Sequence, residues 1–184
     1  MERVASEALP QRLVRAVGES PLSERVARAQ GRTYASLIER VRRGPLHSDL
    51  LGHSLHPSLT DVTIGCWLST SVLDLAGGPQ SRHGATLLAG VGLLASVPTA
   101  LAGAADWPDL SGAERRIGAV HGLCMDAAML LHAGSLVARL RGGYRIGTAL
   151  AIGGNVVIAG AALLGGHLAL HDGAARRTPI ADPA

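Results

Sequence analysis

The apolar positions gather into four long runs, each closed by glycine, proline or charge. The first covers about residues 58–75 and stops at Gly77-Gly78-Pro79. The second covers 84–104 and stops at Asp106-Trp107-Pro108. The third covers 117–138, and Ser111-Gly112-Ala113-Glu114 ahead of it has the spacing of a capping box. The fourth covers 146–170. Each run is close to the roughly 20 residues needed to cross the hydrocarbon core. Short connections make neighbouring helices antiparallel. The expected fold is therefore all-α, an integral-membrane up-down four-helix bundle. Pro57 suits the first turn of its helix, where a missing N–H costs nothing. Pro98, inside the second run, predicts a kink.

The first 49 residues follow another pattern. Val4, Leu9, Leu13, Val14 and Val17 approximate one helical face, broken by Gly18 and Pro21. Leu22, Val26, Tyr34, Leu37, Ile38 and Val41 form a second, opposite Arg25, Arg28, Arg32, Arg40, Arg42 and Arg43. Two amphipathic helices on the bilayer surface or on a partner are expected. The chain thus divides into an Arg-rich N-terminal arm (1–49), a four-span membrane domain (50–172) and a short polar tail (173–184). Glu2 and Glu7 without an apolar stretch argue against a signal peptide, so insertion is expected to begin at the first run.

Composition sharpens this reading. Charged residues are only 17% and mean hydropathy is +0.26, both unusual for a soluble protein. The 24 glycines and the absence of Phe suit close helix–helix contact in lipid. All 17 basic residues are Arg, which a GC-rich genome explains, so their placement carries more information than their identity. The N-terminal arm, the second loop and the tail hold 13 of them, and the other side of the bundle holds 4. That asymmetry places both termini in the cytoplasm. No aromatic platform or DNA-reading motif accompanies the arginines, so nucleic acid is not expected as a partner. Cys66 and Cys124 form neither a disulfide framework nor a zinc spacing.

Polar residues inside apolar helices carry the candidate chemistry. An up-down bundle brings His53, His56, Asp61, Asp106, His121, His167 and His171 to one leaflet. It brings Asp74, His83 and His132 to the other, with Asp126 between. His121 and His132 share a helix face but stand roughly 16 Å apart, so they belong to separate sites. Imidazole ligates haem iron and transition metals, which makes His53, His56, His121 and His167 the candidate cofactor ligands. Asp61 and Asp106 are candidates for orienting those rings or handling protons. A proton relay to a quinone uses the same residues. The competing reading is a cofactor-free structural or assembly protein whose histidines pack helices. No haem-attachment, zinc-protease or phosphate-loop motif is present, and no catalytic triad can be assembled, so an enzyme is the weaker expectation.

One stretch carries a family likeness. Gly52-His53-Ser54-Leu55-His56-Pro57, followed by Ile64-Gly65, Trp67 and Leu73-Asp74, resembles the bacterial membrane family called domain of unknown function 2231. The family hallmark looks like Gly-His-Pro-Leu-His-Pro, then Pro-Ile-Gly-x-Trp, then Leu-Asp. Residues 99–107 and Gly165-Gly166-His167-Leu168 resemble its later signatures, so the likeness covers about residues 50–172. Ser54 and Thr63 stand where the hallmark has proline. The loss at Thr63 implies a straighter first span. The resemblance implies a multi-pass protein of the bacterial inner membrane. Some members are joined to a Rieske iron–sulfur domain, whose ligand pairs this chain lacks. It implies at most a redox accessory role beside a separate iron–sulfur protein. A homo-oligomer is compatible with it.

Overall fold

A computed structural model describes residues 8–47 and 54–171. Among them every regular element is helical. Three short helices come first: α1 (Leu9–Glu19), α2 (Pro21–Thr33) and α3 (Ala35–Arg42). Four long ones follow: α4 (His56–Ala76), α5 (Arg82–Asp106), α6 (Gly112–Leu140) and α7 (Tyr144–His171). The arm region therefore holds three helices where two are expected. Pro21 opens α2, and Ser20 accepts a hydrogen bond from the Leu22 N–H at 3.2 Å.

Among the described residues three stretches are long and apolar enough to cross a membrane: Pro79–Asp109, Gly112–Leu140 and Tyr144–Leu170. Helix α4 is not among them. Ser58, Thr60, Asp61, Thr63, Ser69, Thr70, Ser71 and Asp74 dilute its hydropathy. Several of these polar groups are nevertheless satisfied inside the protein. Thr60, Thr63 and Thr70 donate to the carbonyls of His56, Leu59 and Cys66, each four residues back. The outward residues of α4, among them Val62, Leu68, Val72 and Leu75, are apolar and exposed. At position 63 the helix is continuous. Thr63 is buried and bonds Thr99 of α5 at 3.0 Å, a link proline could not make.

Helix α4 lies along α5, and α6 along α7, in two close antiparallel pairs. Contacts between α5 and α6, and between α4 and α7, join the pairs. Small residues permit the close approach: Ala85, Ala89 and Ala102 of α5 and Ala151 and Ala161 of α7 are all buried.

The arm region packs against the long helices. Val14 of α1 meets Ile117 and Leu164, while Ala27 and Ile38 meet Trp107 and Ala119. Arg42 donates to the Ala105 carbonyl and pairs with Asp109 at 2.8 Å. Arg116 donates to the Gly18 carbonyl. Trp107 is buried under α2 and α3, with its indole N–H on the Arg115 carbonyl at 2.9 Å. Leu9, Leu13, Leu22 and Leu37 remain exposed on the other side of α1–α3.

Trp107→Ala removes the centre of that contact. A loss of about 3–5 kcal/mol is expected for a buried tryptophan. Limited proteolysis should then release residues 8–47 while the long helices stay protected. Unchanged cleavage kinetics would contradict this packing.

Candidate functional site

Rings and charges converge where α4 faces α6 across the middle of the four long helices. They form three levels.

The first level holds His56 of α4 and His121 of α6. Their ring centres are 6.4 Å apart and their planes are almost perpendicular, at 88°. The Nδ1–H of His56 donates to the Thr99 carbonyl at 2.9 Å, and that of His121 to the Ala161 carbonyl at 3.0 Å. Each bond fixes ring and tautomer and leaves Nε2 with its lone pair. A glycine backs each ring. A Cβ at Gly103 would stand 2.8 Å from the His56 ring, and one at Gly165 would stand 2.9 Å from that of His121. Any side chain there would push the imidazole out of place.

The second level lies three helical turns further along. The indole of Trp67 stacks flat on the imidazole of His132, with ring centres 4.0 Å apart. Both side chains are fully buried. Glycines again press on them: a Cβ at Gly92 would come within 2.6 Å of Trp67, and one at Gly154 within 2.6 Å of His132. Trp67 Nε1, both ring nitrogens of His132 and Asn155 Oδ1 are buried without a hydrogen-bond partner among the described residues. The Asn155 amide donates to Ser71 at 2.8 Å. The stacked rings leave no gap for a ligand between them.

The third level is an ion pair. Arg139 grips Asp74 with both guanidinium nitrogens, one at 2.8 Å, and its side chain is fully buried. Its Nε donates to Ser135 at 3.1 Å, and Ser135 donates to the Gly147 carbonyl at 2.6 Å. Arg139 reads in the sequence as a loop charge that helps orient the protein. The structure instead places it inside α6, spent on Asp74. A buried cationic side chain needs a partner, and here it reaches a carboxylate. The Leu73-Asp74 signature was the available signal for its partner.

The other expected residues separate. Asp106, at the end of α5, accepts from Ser54 and bonds His47 at 3.2 Å. Ser54 is buried and also accepts the His56 N–H at 3.1 Å, so it both starts α4 and ties it to α5. The hallmark proline could do neither. Backbone carbonyls orient His56 and His121, a role expected of Asp61 and Asp106. Asp61 is exposed on the outer face of α4. His167 borders a cavity of about 450 Å³ between α1 and α6, also lined by Arg15, Glu19 and Glu114. His53 lies outside the described residues, and so does the side chain of His171. Among the described residues no three His, Cys, Asp or Glu side chains come together as a metal site.

No family model matches this chain, and no characterised protein or solved structure is significantly similar to it.

Breaking the buried pair from one side should be costly. Asp74→Ala is expected to destabilise the protein by about 3–5 kcal/mol, because Arg139 is left charged and alone. The double variant Asp74→Leu/Arg139→Met should recover most of that loss. Reversible unfolding in mixed detergent micelles measures both. A double variant no better than the single one would show that the two charges act independently.

Proposed function

We propose that this chain is a multi-pass protein of the bacterial inner membrane, in the family called domain of unknown function 2231. In this reading α4 crosses the bilayer with α5, α6 and α7 as an up-down four-helix bundle. Both termini then face the cytoplasm, and α1–α3 rest on the cytoplasmic end with their exposed leucines toward lipid. The protein holds a metal- or haem-based redox cofactor at His56 and His121. It serves as a membrane accessory to a separate redox or iron–sulfur protein rather than as an enzyme in its own right.

The observation that carries this reading is the paired imidazoles. Two half-buried rings on different helices meet almost at right angles. Each has Nδ1 committed to a carbonyl and Nε2 left over. Metal-ligating histidines use this arrangement to fix the tautomer and raise ligand basicity. Solvent access and hydrogen bonding around such ligands tune a redox centre. A quinone can accept a hydrogen bond from a histidine, but neither Nδ1–H is free to supply one.

The glycine cradles favour a second reading, in which the rings serve helix packing and no cofactor is bound. Metal analysis and the absorption spectrum of protein purified in mild detergent separate the two. The cofactor reading expects a chromophore or one transition metal per chain. His56→Ala and His121→Ala should lose it, and Asp61→Asn should keep it. Protein with neither chromophore nor metal, after reconstitution with both, would leave only the packing role.

A further inference from the structure

The two helix pairs repeat one another. His56 and His121 occupy the same place in α4 and α6, and so do Trp67 and His132, Thr70 and Ser135, and Asp74 and Arg139, each 65 residues apart. A second common offset, slightly smaller because the turn after α6 is shorter, relates α5 to α7. It matches Gly92 with Gly154, Thr99 with Ala161, and Gly103 with Gly165. The contacts repeat with the residues. His56 donates to the Thr99 carbonyl as His121 does to that of Ala161. Thr70 donates to the Ala85 carbonyl at 3.4 Å as Ser135 does to that of Gly147. Burial repeats too: the inward positions 63, 67 and 70 of α4 correspond to 128, 132 and 135 of α6.

We infer that the chain is a duplicated helical hairpin, and that His56 and His121, equivalent in the two halves, are the axial ligands of one haem iron held between them. This rests on the proposed cofactor role of the pair and names its ligand class. Equivalent residues from two matching halves meet across an approximate two-fold axis. Such a pair presents the same atom from opposite sides to anything lying on that axis. A metal held axially by two imidazole nitrogens at about 2 Å each sets the ring centres roughly 6 Å apart. The observed 6.4 Å agrees. The equivalent pair one level along, at 4.0 Å, is closed by direct stacking. The first level is not closed by stacking: its ring planes stand at 88°.

The chemistry of the donor set then chooses among ions. Zinc takes about four ligands, and the described residues bring no third His, Cys, Asp or Glu to this pair. A haem iron carries its own equatorial nitrogens and asks the protein only for axial ligands. The pinned Nδ1–H groups favour Nε2 as the donor of both rings, and the haem would supply one-electron chemistry when bound.

The test is titration of the full-length protein in detergent with hemin, and separately with zinc and copper(II). One hemin per chain should bind as a six-coordinate low-spin species. His56→Ala and His121→Ala should each give a five-coordinate high-spin spectrum, and added imidazole should restore six-coordination. His167→Ala and Asp61→Asn should not change the spectrum. Circular dichroism melts confirm that the variants fold, and His121→Met, which keeps an axial donor, should shift the band without abolishing binding. A low-spin spectrum unaltered in both alanine variants overturns the assignment of ligands. Stoichiometric zinc or copper with no hemin uptake overturns haem while sparing the paired-imidazole site. Failure to bind any of the three overturns both readings.

Discussion

The Asp74–Arg139 pair is the constraint on which the rest of the arrangement depends. Lipid hydrocarbon offers no hydrogen bonds, so a charge placed there must find its partner within the protein. Asp74 belongs to the first helix pair and Arg139 to the second. Apart from the Arg139 Nε bond to Ser135, each charge finds its partner in the other hairpin. Their bidentate grip therefore fixes how far one hairpin slides along the other. A slip of one turn, roughly 5.4 Å, would strand both charges. With that depth fixed, Trp67 meets His132 and His56 meets His121. Attraction within such a pair roughly offsets the cost of dehydrating it, so its contribution is to alignment more than to net stability.

Glycine sets the second dimension. Within each hairpin the helices come close enough that rings on one press directly onto the backbone of the other. Between the hairpins the contact is sparser and made by large side chains. The interior is thus asymmetric: tight inside each pair, with rings and charges concentrated where the pairs face each other. The two levels are built alike but meet differently, perpendicular at the first and stacked flat at the second. Both have a ring from α4, a ring from α6 and two glycines. They differ in that an indole, larger than an imidazole and able to stack flat, replaces histidine at Trp67.

Much of the helical layout was legible in the hydropathy pattern. The four runs lie within the four long helices, and three of those helices are long and apolar enough to cross a bilayer. In the N-terminal region Val14, Ala27 and Ile38 turn toward the long helices, and the periodicity of a face does not say what it meets. Arg139 was misread because charge near a helix end looks the same in sequence whether it reaches water or a buried carboxylate. His56 and His121 stood among the candidates, but nothing in their spacing paired them and set His167 and Asp61 apart. That depends on rotation about the helix axes. The repeat was legible in principle, as a shared offset of histidine, hydroxyl and glycine positions. It is masked there because Trp67 corresponds to His132 and Asp74 to Arg139, pairs of unlike residues.

The stacked second level also has an optical consequence. The chain has two tryptophans, and they occupy opposite circumstances. Trp107 sits under the short helices with a guanidinium over its ring, 4.7 Å from the Arg115 carbon to the ring centre. Trp67 lies flat against an imidazole, between two hairpins and away from solvent. Its excited state is therefore coupled to the distance between the hairpins. Any separation of the two halves at this level changes its emission. The chain carries its own gauge of how tightly its halves are closed, at a depth that no added dye could reach without prying them apart.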